Sequence, residues 1–294
     1  MEHSGLLVDS GGAKCLFPQG FEGEPPLIVR KRDGGFGYSA TDLASIRYRI
    51  KEIQANRMLY VVGAPQSRHF AMVFAAARDA GWLTPAVSAR HVAFGSVLGA
   101  DGKMLRSRAG VDLKLIDLLD EAVARAAALV GPDVPAGERD AVARAVGVGA
   151  VKYADLSTDR VKDYVFDWDR MLATNGDTAA YLQYSCARAS SILRKAGGVP
   201  ETAINLVHPS ERALALELLG FPAVIGVVAE TFEFQKLTTY LFGLAGLFNA
   251  FLRDCPVLKA ESSLRASRLG LCHLTRRTIA QGLDLLGIAT PERM

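Results

Sequence analysis

Residues 98–114, LGADGKMLRSRAGVDLK, carry side chains suited to hold a polyphosphate. Gly99, Gly102 and Gly110 allow tight turns and close approach of a ligand, while Lys103, Arg106 and Arg108 extend cationic donors. A solvated surface loop has the same composition, so this stretch takes its meaning from its surroundings. Upstream, Asp42 follows Thr41 where a helix opens, and Gln66 and His69 follow the short apolar run LYVVG. A carboxylate in a first helical turn is stabilised by the orphan N–H groups and the helix dipole without any ligand, so Asp42 reads equally as a cap. Downstream, Tyr181, Tyr184 and Arg188 stand at i, i+3 and i+7, one face of a helix. There, aromatic rings can stack on bases and a guanidinium can pair with phosphate, although the same spacing also builds ordinary core.

The elements that must position these groups change character along the chain. Residues 5–38 read as short strands, GLLV, AKCLF and PLIVRKR, separated by Ser10-Gly11-Gly12 and Asp33-Gly34-Gly35 turns. The segment GGFG is read as a turn, because neither a Gly-Lys-Ser/Thr sequence nor a strand-to-helix dinucleotide fingerprint accompanies it. A helix is expected from Tyr38 to about Gln54, with Thr41 and Asp42 at cap positions and Leu43, Ile46, Ile50 and Ile53 on its apolar face. LYVVG, residues 59–63, has the character of a strand buried on both faces, and a helix over 68–80 follows it. The loop at the carboxyl end of such a strand is where α/β sheets bind ligands, which places Gln66 and His69 near a site. A further strand is expected within 91–98, and 112–130 is amphipathic helix.

From Gly131 to Glu138 the composition is that of a boundary loop, and helical patterns dominate beyond it. One helix starts at Asp177-Thr178 and stops at Gly197-Gly198. A second runs from Pro209 through Leu219, and long ones cover 235–253 and 264–286. The fold class is therefore α/β followed by all-α, with a first domain over residues 1–130 and a helical bundle over residues 131–294.

Composition excludes several classes. The formal net charge is +3, with 16 Lys+Arg against 13 Asp+Glu in residues 1–130 and 18 against 18 in residues 131–294, so any nucleic-acid contact must be local. Cys15, Cys186, Cys255 and Cys272 are far apart, with no CxxC or Cys/His pair at metal-ligand spacing, and read as reduced thiols without a metal. No apolar run of membrane-spanning length and no signal peptide is read, so a cytoplasmic protein without membrane contact is expected.

Taken in order, YSATDLA at Tyr38, VVGAPQSRHF at Val61, HVAFGSVLGADGKMLRSRAG at His91, KYADLSTDRVKDYVFDWDRML at Lys152, AYLQYSCAR at Ala180 and the terminal GLDLLGIATPERM resemble the C-terminal half of bacterial arginyl-tRNA synthetases. The resemblance covers nearly the whole chain. It implies the second half of a class I Rossmann-like catalytic domain joined to a helical anticodon-binding domain. It also implies that Tyr38, Asp42 and Gln66 select arginine, since a carboxylate, a phenol and an amide carbonyl can satisfy a planar five-donor cation. The loop 99–110 corresponds to the KMSKS segment, here Lys103-Met104-Leu105-Arg106-Ser107, with Lys103 at the first lysine and Arg106 replacing the second. Lys103 and Arg106 are thereby implied as catalytic residues holding ATP phosphates, and His91, Gly95 and Lys103 as the ATP-binding set. Tyr184, Arg188 and Met294 match positions that contact tRNA.

The resemblance implies ATP with Mg²⁺ as substrate, arginine and its tRNA as partners, and attachment of arginine to tRNA through arginyl-adenylate. It stops short of the HIGH motif, because the sequence contains no His-x-Gly-His. The class of reaction is thus implied, and turnover by this chain alone is left open. The first domain is expected to require a complementary chain that supplies the HIGH half, as in a split synthetase, or else to remain loosely packed. A noncatalytic tRNA-binding or regulatory paralogue is the competing reading.

Overall fold

The computed structural model describes residues 1–2, 4–99, 101–103, 114–198 and 203–294. The chain forms two compact units, Met1–Gly95 and Ser96–Met294.

In the first unit, β1 (Val8–Ser10) and β2 (Ala13–Leu16) form a hairpin whose central residues, Gly11 and Gly12, have φ of 57° and 82°. Left-handed backbone at both positions matches the twist of the flanking strands, which is why two glycines stand there. β3 (Leu27–Arg30) pairs antiparallel with β2, and an Arg30–Phe36 bridge closes the turn around Asp33. α1 (Tyr38–Lys51) starts directly after Gly37, which is extended and makes no side-chain cap. The helix therefore begins three residues before the expected cap at Thr41, and Asp42 lies in its second turn. Leu43 and Ile46 are buried and Ile50 packs partly against them, whereas Ile53 lies past the helix end and is exposed.

β4 (Arg57–Gly63) leads through a 3-10 turn at Ala64–Gln66 into α2 (Ser67–Asp79), and β5 (Ser88–Phe94) returns parallel to β4 from Arg57↔Ser88 to Gly63↔Phe94. Phe70, Val73, Phe74 and Ala77 of α2 join Met58 and Tyr60 of β4 and Leu43 and Ile46 of α1 in one core. The strand is not buried on both faces as expected. Met58 and Tyr60 are covered, while Leu59 and Val61, which point the other way, are 44% and 65% exposed, as is Phe94 at 44%. A parallel strand of this type normally has protein on both faces.

The second unit opens with β6 (Val97–Leu98), which pairs in parallel with the distant β7 (Tyr164–Val165). Its helices are α3 (Leu115–Ala127), α4 (Arg139–Leu156), α5 (Trp168–Met171), α6 (Ala179–Ala196), α7 (Pro209–Thr231), α8 (Gln235–Asp254) and α9 (Ser262–Leu285). α3 lies so close along α4 that residues 96–130 belong to this unit by contact, although the sequence pattern groups them with the α/β part. Gly147 makes the approach possible, since a Cβ there would stand 2.6 Å from the Ala122 backbone. The main core gathers Leu182, Leu214, Leu241, Leu244, Phe248 and Ile279, and a smaller one joins Leu118, Val142, Val146 and Phe166.

Local signals set most helix ends. Thr178 caps α6 by accepting from the Tyr181 N–H, and Gly197 ends it at φ 80°. His208 and Glu211 form a reciprocal capping box at the start of α7. That helix does not stop near Leu219 but continues through Pro222 to Thr231, because Leu214, Phe221 and Val228, spaced by seven, pack into the main core. Its mean hydropathy reaches 1.8 over an 18-residue window of which 11% is buried. It therefore has the length and composition to cross a membrane, contrary to the reading that no apolar stretch does. Within the fold it packs on α8 and α9. All four cysteines are free and buried, and burial pushes the thiols of Cys186 and Cys272 up to about 12.

Candidate functional site

The second turn of α1 meets the first turn of α2 through one polar contact. His69 Nε2 lies 2.7 Å from Asp42 Oδ2, with both side chains a little over a quarter exposed. Because α1 starts at Tyr38, Asp42 is too deep in the helix to serve the orphan N–H groups of the first turn, so the capping explanation for this carboxylate falls away. Tyr38 lies one turn before Asp42 on the same face and is 88% exposed. Gln66, at the end of the 3-10 turn, lies three residues before His69 and is exposed. The Asp42–His69 contact thus ties the second turn of α1 to the first turn of α2, which follows β4 through the 3-10 turn that ends at Gln66.

An aromatic chain extends inward from this point. His69 meets Phe70 edge-on with ring centroids 5.3 Å apart, and Phe70 stacks on His91 at 5.1 Å. His91, the middle residue of β5, donates through Nε2 to the Val62 carbonyl across the parallel pair at 2.9 Å, which fixes its ring against β4. Gly95 closes this unit. Arg49 donates to the Tyr60 hydroxyl at 2.8 Å, and desolvation by burial raises the Tyr60 phenol above its ordinary range despite that guanidinium.

In the second unit, the start of the Gly-rich loop is a tight turn. The Gly99 N–H donates to the Lys103 carbonyl at 2.7 Å, the Gly102 N–H to the Gly99 carbonyl at 2.9 Å, and the Lys103 N–H to Asp101 Oδ1 at 3.1 Å. The turn fixes the Lys103 backbone while the residue itself is exposed. Arg106, Arg108 and Gly110 lie outside the described residues.

The three-residue face on α6 divides. Tyr184 and Arg188 are exposed, Tyr184 to 50%. Tyr181 instead packs against Phe242, and its hydroxyl accepts from Asn249 Nδ2 at 2.8 Å. Asn249 Oδ1 in turn accepts from Arg188 at 3.0 Å, so this residue of α8 orients the guanidinium. No spacing in the sequence links Asn249 to α6; only packing reveals it. Met294 packs against the smaller core, and the tail before it is held by Gln183, which donates to the Ala289 carbonyl at 2.7 Å and the Ala145 carbonyl at 3.0 Å. A cavity of about 400 Å³ between α4, β7 and α5 is lined by Tyr153, Tyr164, Asp167, Arg170 and Asp177. Tyr153 donates to Asp177 at 2.5 Å, and burial first and then Asp177 raise its phenol far above the ordinary value.

Comparisons with known proteins divide the chain between residues 168 and 182, inside the second compact unit. A family model described as tRNA synthetases class I (R), catalytic domain, matches residues 1–168, and the DALR anticodon binding domain matches residues 182–294. Arginine–tRNA ligases of Frankia casuarinae and Thermobifida fusca are 54% and 53% identical over 99% and 100% of this chain, which covers 51% and 53% of their lengths. The arginyl-tRNA synthetase structure from Thermus thermophilus superimposes with a TM-score of 0.86 at 32% identity over 97% of this chain and 55% of its own. That from Plasmodium falciparum gives 0.84 at 30% identity over 100% of this chain and 51% of its own. The fold is therefore the later part of a class I synthetase catalytic domain followed by a helical anticodon-binding domain. The chain belongs to the arginyl-tRNA synthetase family, and it spans about half the length of the curated relatives it matches.

Proposed function

We propose that this chain is the arginine- and tRNA-binding half of an arginine–tRNA ligase, acting in the cytoplasm with a separate chain or segment that supplies the HIGH motif. The observation that carries the reading is the environment of Asp42. One carboxylate oxygen is engaged by His69, and the other has no partner among the described residues. In this reading Tyr38, one turn earlier on α1, and Gln66, three residues before His69, contribute a phenol and an amide carbonyl to the same arginine guanidinium. Such a set satisfies a guanidinium by charge and by donor count, and it discriminates against a lysine ammonium, which cannot span acceptors in a plane.

In this reading Lys103 and Arg106 neutralise the phosphates of Mg²⁺-ATP as the arginine carboxylate attacks the α-phosphorus and pyrophosphate leaves. His91, within β5, and Gly95, just past its end, border the nucleotide. Residues 131–294 dock tRNA, with Tyr184 stacking on a base, Arg188 pairing with phosphate, and the Met294 end closing the surface. Much of the transition-state stabilisation would come from the HIGH half, and losing even one preorganised donor costs about 10² to 10³ in rate. The exposed Leu59, Val61 and Phe94 supply the apolar face that such a half would cover.

The test is arginine-dependent ATP–pyrophosphate exchange in the presence of arginine tRNA, run beside a filter-binding titration of that tRNA. Binding without exchange, with exchange restored by adding a HIGH-containing half, is the expected outcome. Exchange by this chain alone would refute the division of labour. Binding with no restoration would favour the noncatalytic paralogue.

A further inference from the structure

The outer face of α7 carries a pattern that the synthetase reading does not use. Arg212, Leu216, Leu219, Ala223, Gly226 and Glu230 are all exposed, and they follow one another at spacings of 4, 3, 4, 3 and 4. That is the seam spacing of a coiled coil, displayed on the side opposite Leu214, Phe221 and Val228, which anchor the helix to its own core. Leu219 is 77% exposed and Leu216 57%, with Val227 flanking them at 41%. Solvent-facing positions on a helix that only has to cover its own core are normally polar.

We propose that this seam binds the same seam of a second copy, antiparallel, about a two-fold axis opposite residue 221. The register follows from the sequence itself. The two-fold places Leu219 against Ala223 of the second copy and Leu216 against Gly226, so each large side chain meets a small one. It also places Arg212 against Glu230, so each end of the seam brings opposite charges together. The same rotation repeats every pair, as an isologous contact requires. Glu230 also takes part in an interaction within its own chain, and a carboxylate can accept a second donor. Gly226 supports the assignment independently. A Cβ there would meet nothing within 4 Å, and its φ is not positive, so nothing within the chain requires glycine at that point of a helix, where it costs stability. A leucine from another helix filling that space supplies the reason. A helix of 23 residues spans about 35 Å, which suits a reversible rather than an obligate dimer.

Analytical ultracentrifugation of the whole chain between about 1 and 100 μM tests the proposal, because self-association is concentration-dependent. Reversible dimerisation is expected, and Leu219→Glu, at an exposed position that leaves the fold intact by circular dichroism, should make the chain monomeric across this range. A second measurement fixes the register. Under oxidation, Leu219→Cys/Ala223→Cys should cross-link between chains, whereas Ala223→Cys alone should not, because two-fold mates at 223 are offset by four residues and lie beyond disulfide reach. A wild-type chain that stays monomeric, a Leu219→Glu chain that still dimerises, efficient cross-linking of Ala223→Cys alone, or co-sedimentation with phosphatidylcholine vesicles in place of dimerisation would each overturn it.

Discussion

Adding one methyl group at three different glycines should move stability by different amounts and in different directions. At Gly147, a Cβ would lie 2.6 Å from the carbonyl carbon and oxygen of Ala122 and 2.7 Å from the Val123 nitrogen. Comfortable contact is about 3.5 to 4.0 Å, so α3 and α4 must separate by about 1 Å, and because both sides of the contact are backbone no rotamer change can absorb the strain. Overpacking of this kind costs about 3 kcal/mol at its upper end. Replacing a helical glycine by alanine returns about 1 kcal/mol, leaving a net loss of about 2 kcal/mol for Gly147→Ala. At Gly282 the obstruction is the tip of Leu241, with Cδ2 at 2.6 Å and Cδ1 at 2.9 Å. A side chain can turn, but Leu241 is fully buried, so the net loss should be nearer 1 kcal/mol. At Gly246, exposed on α8, a Cβ meets nothing, and Gly246→Ala should gain about 1 kcal/mol. Urea unfolding followed by far-ultraviolet circular dichroism reads the series. With a slope of about 2 kcal/mol per molar, the midpoints of Gly246→Ala and Gly147→Ala should differ by about 1.5 M. Equal midpoints for those two variants would refute the close α3–α4 contact.

Asp42→Asn should weaken arginine binding at least tenfold in the chain complemented with a HIGH half, since truncating a charged pair costs about 2 to 5 kcal/mol, and the Km for arginine in pyrophosphate exchange measures it. Tyr184→Ala should cost about 1 to 3 kcal/mol in tRNA affinity by filter binding, while Tyr181→Phe, which removes only a hydroxyl that accepts from Asn249, should change it far less. Glu211 is buried, and although desolvation opposes its ionisation, Arg268 at 2.7 Å and the Val207 and His208 N–H groups hold its carboxyl below the ordinary range. A depressed native pKa contributes stability above the unfolded value of 4.5 that is lost as the pH falls through the native one. Glu211→Gln should therefore destabilise by about 3 kcal/mol near neutrality and flatten the acid limb of the stability profile below pH 4.5. Val61→Lys should abolish assembly with the HIGH half and lower binding of a hydrophobic dye by the isolated chain, while a dye signal unchanged from wild type would show that this face is not the one left uncovered.

The sequence alone determined where most elements lie, because their signals are local. Paired glycines make the β1–β2 turn, Thr178 and Gly197 bracket α6, and the ordered motifs from Tyr38 to Met294 identify the family. Capping, turn chemistry and periodicity act within a few residues, so one chain displays them directly. The errors arose where distant packing overrides a local rule. Asp42 reads as a cap because Thr41-Asp42 is good cap chemistry, yet α1 is already under way from Tyr38, and His69, 27 positions on, takes up the carboxylate instead. α7 reads as ending near Leu219, but the buried Leu214 and Val228 and the partly buried Phe221 carry it past Pro222. β4 has the composition of a strand buried on both faces, and only the three-dimensional arrangement shows that α2 covers one face and leaves Leu59 and Val61 open. Tertiary structure alone also decided which polar groups meet. His69 reaches Asp42 across 27 positions and Asn249 reaches Arg188 across 61. Such contacts depend on how helices dock, which is set by the summed burial of many apolar side chains, and no single spacing along the chain encodes that.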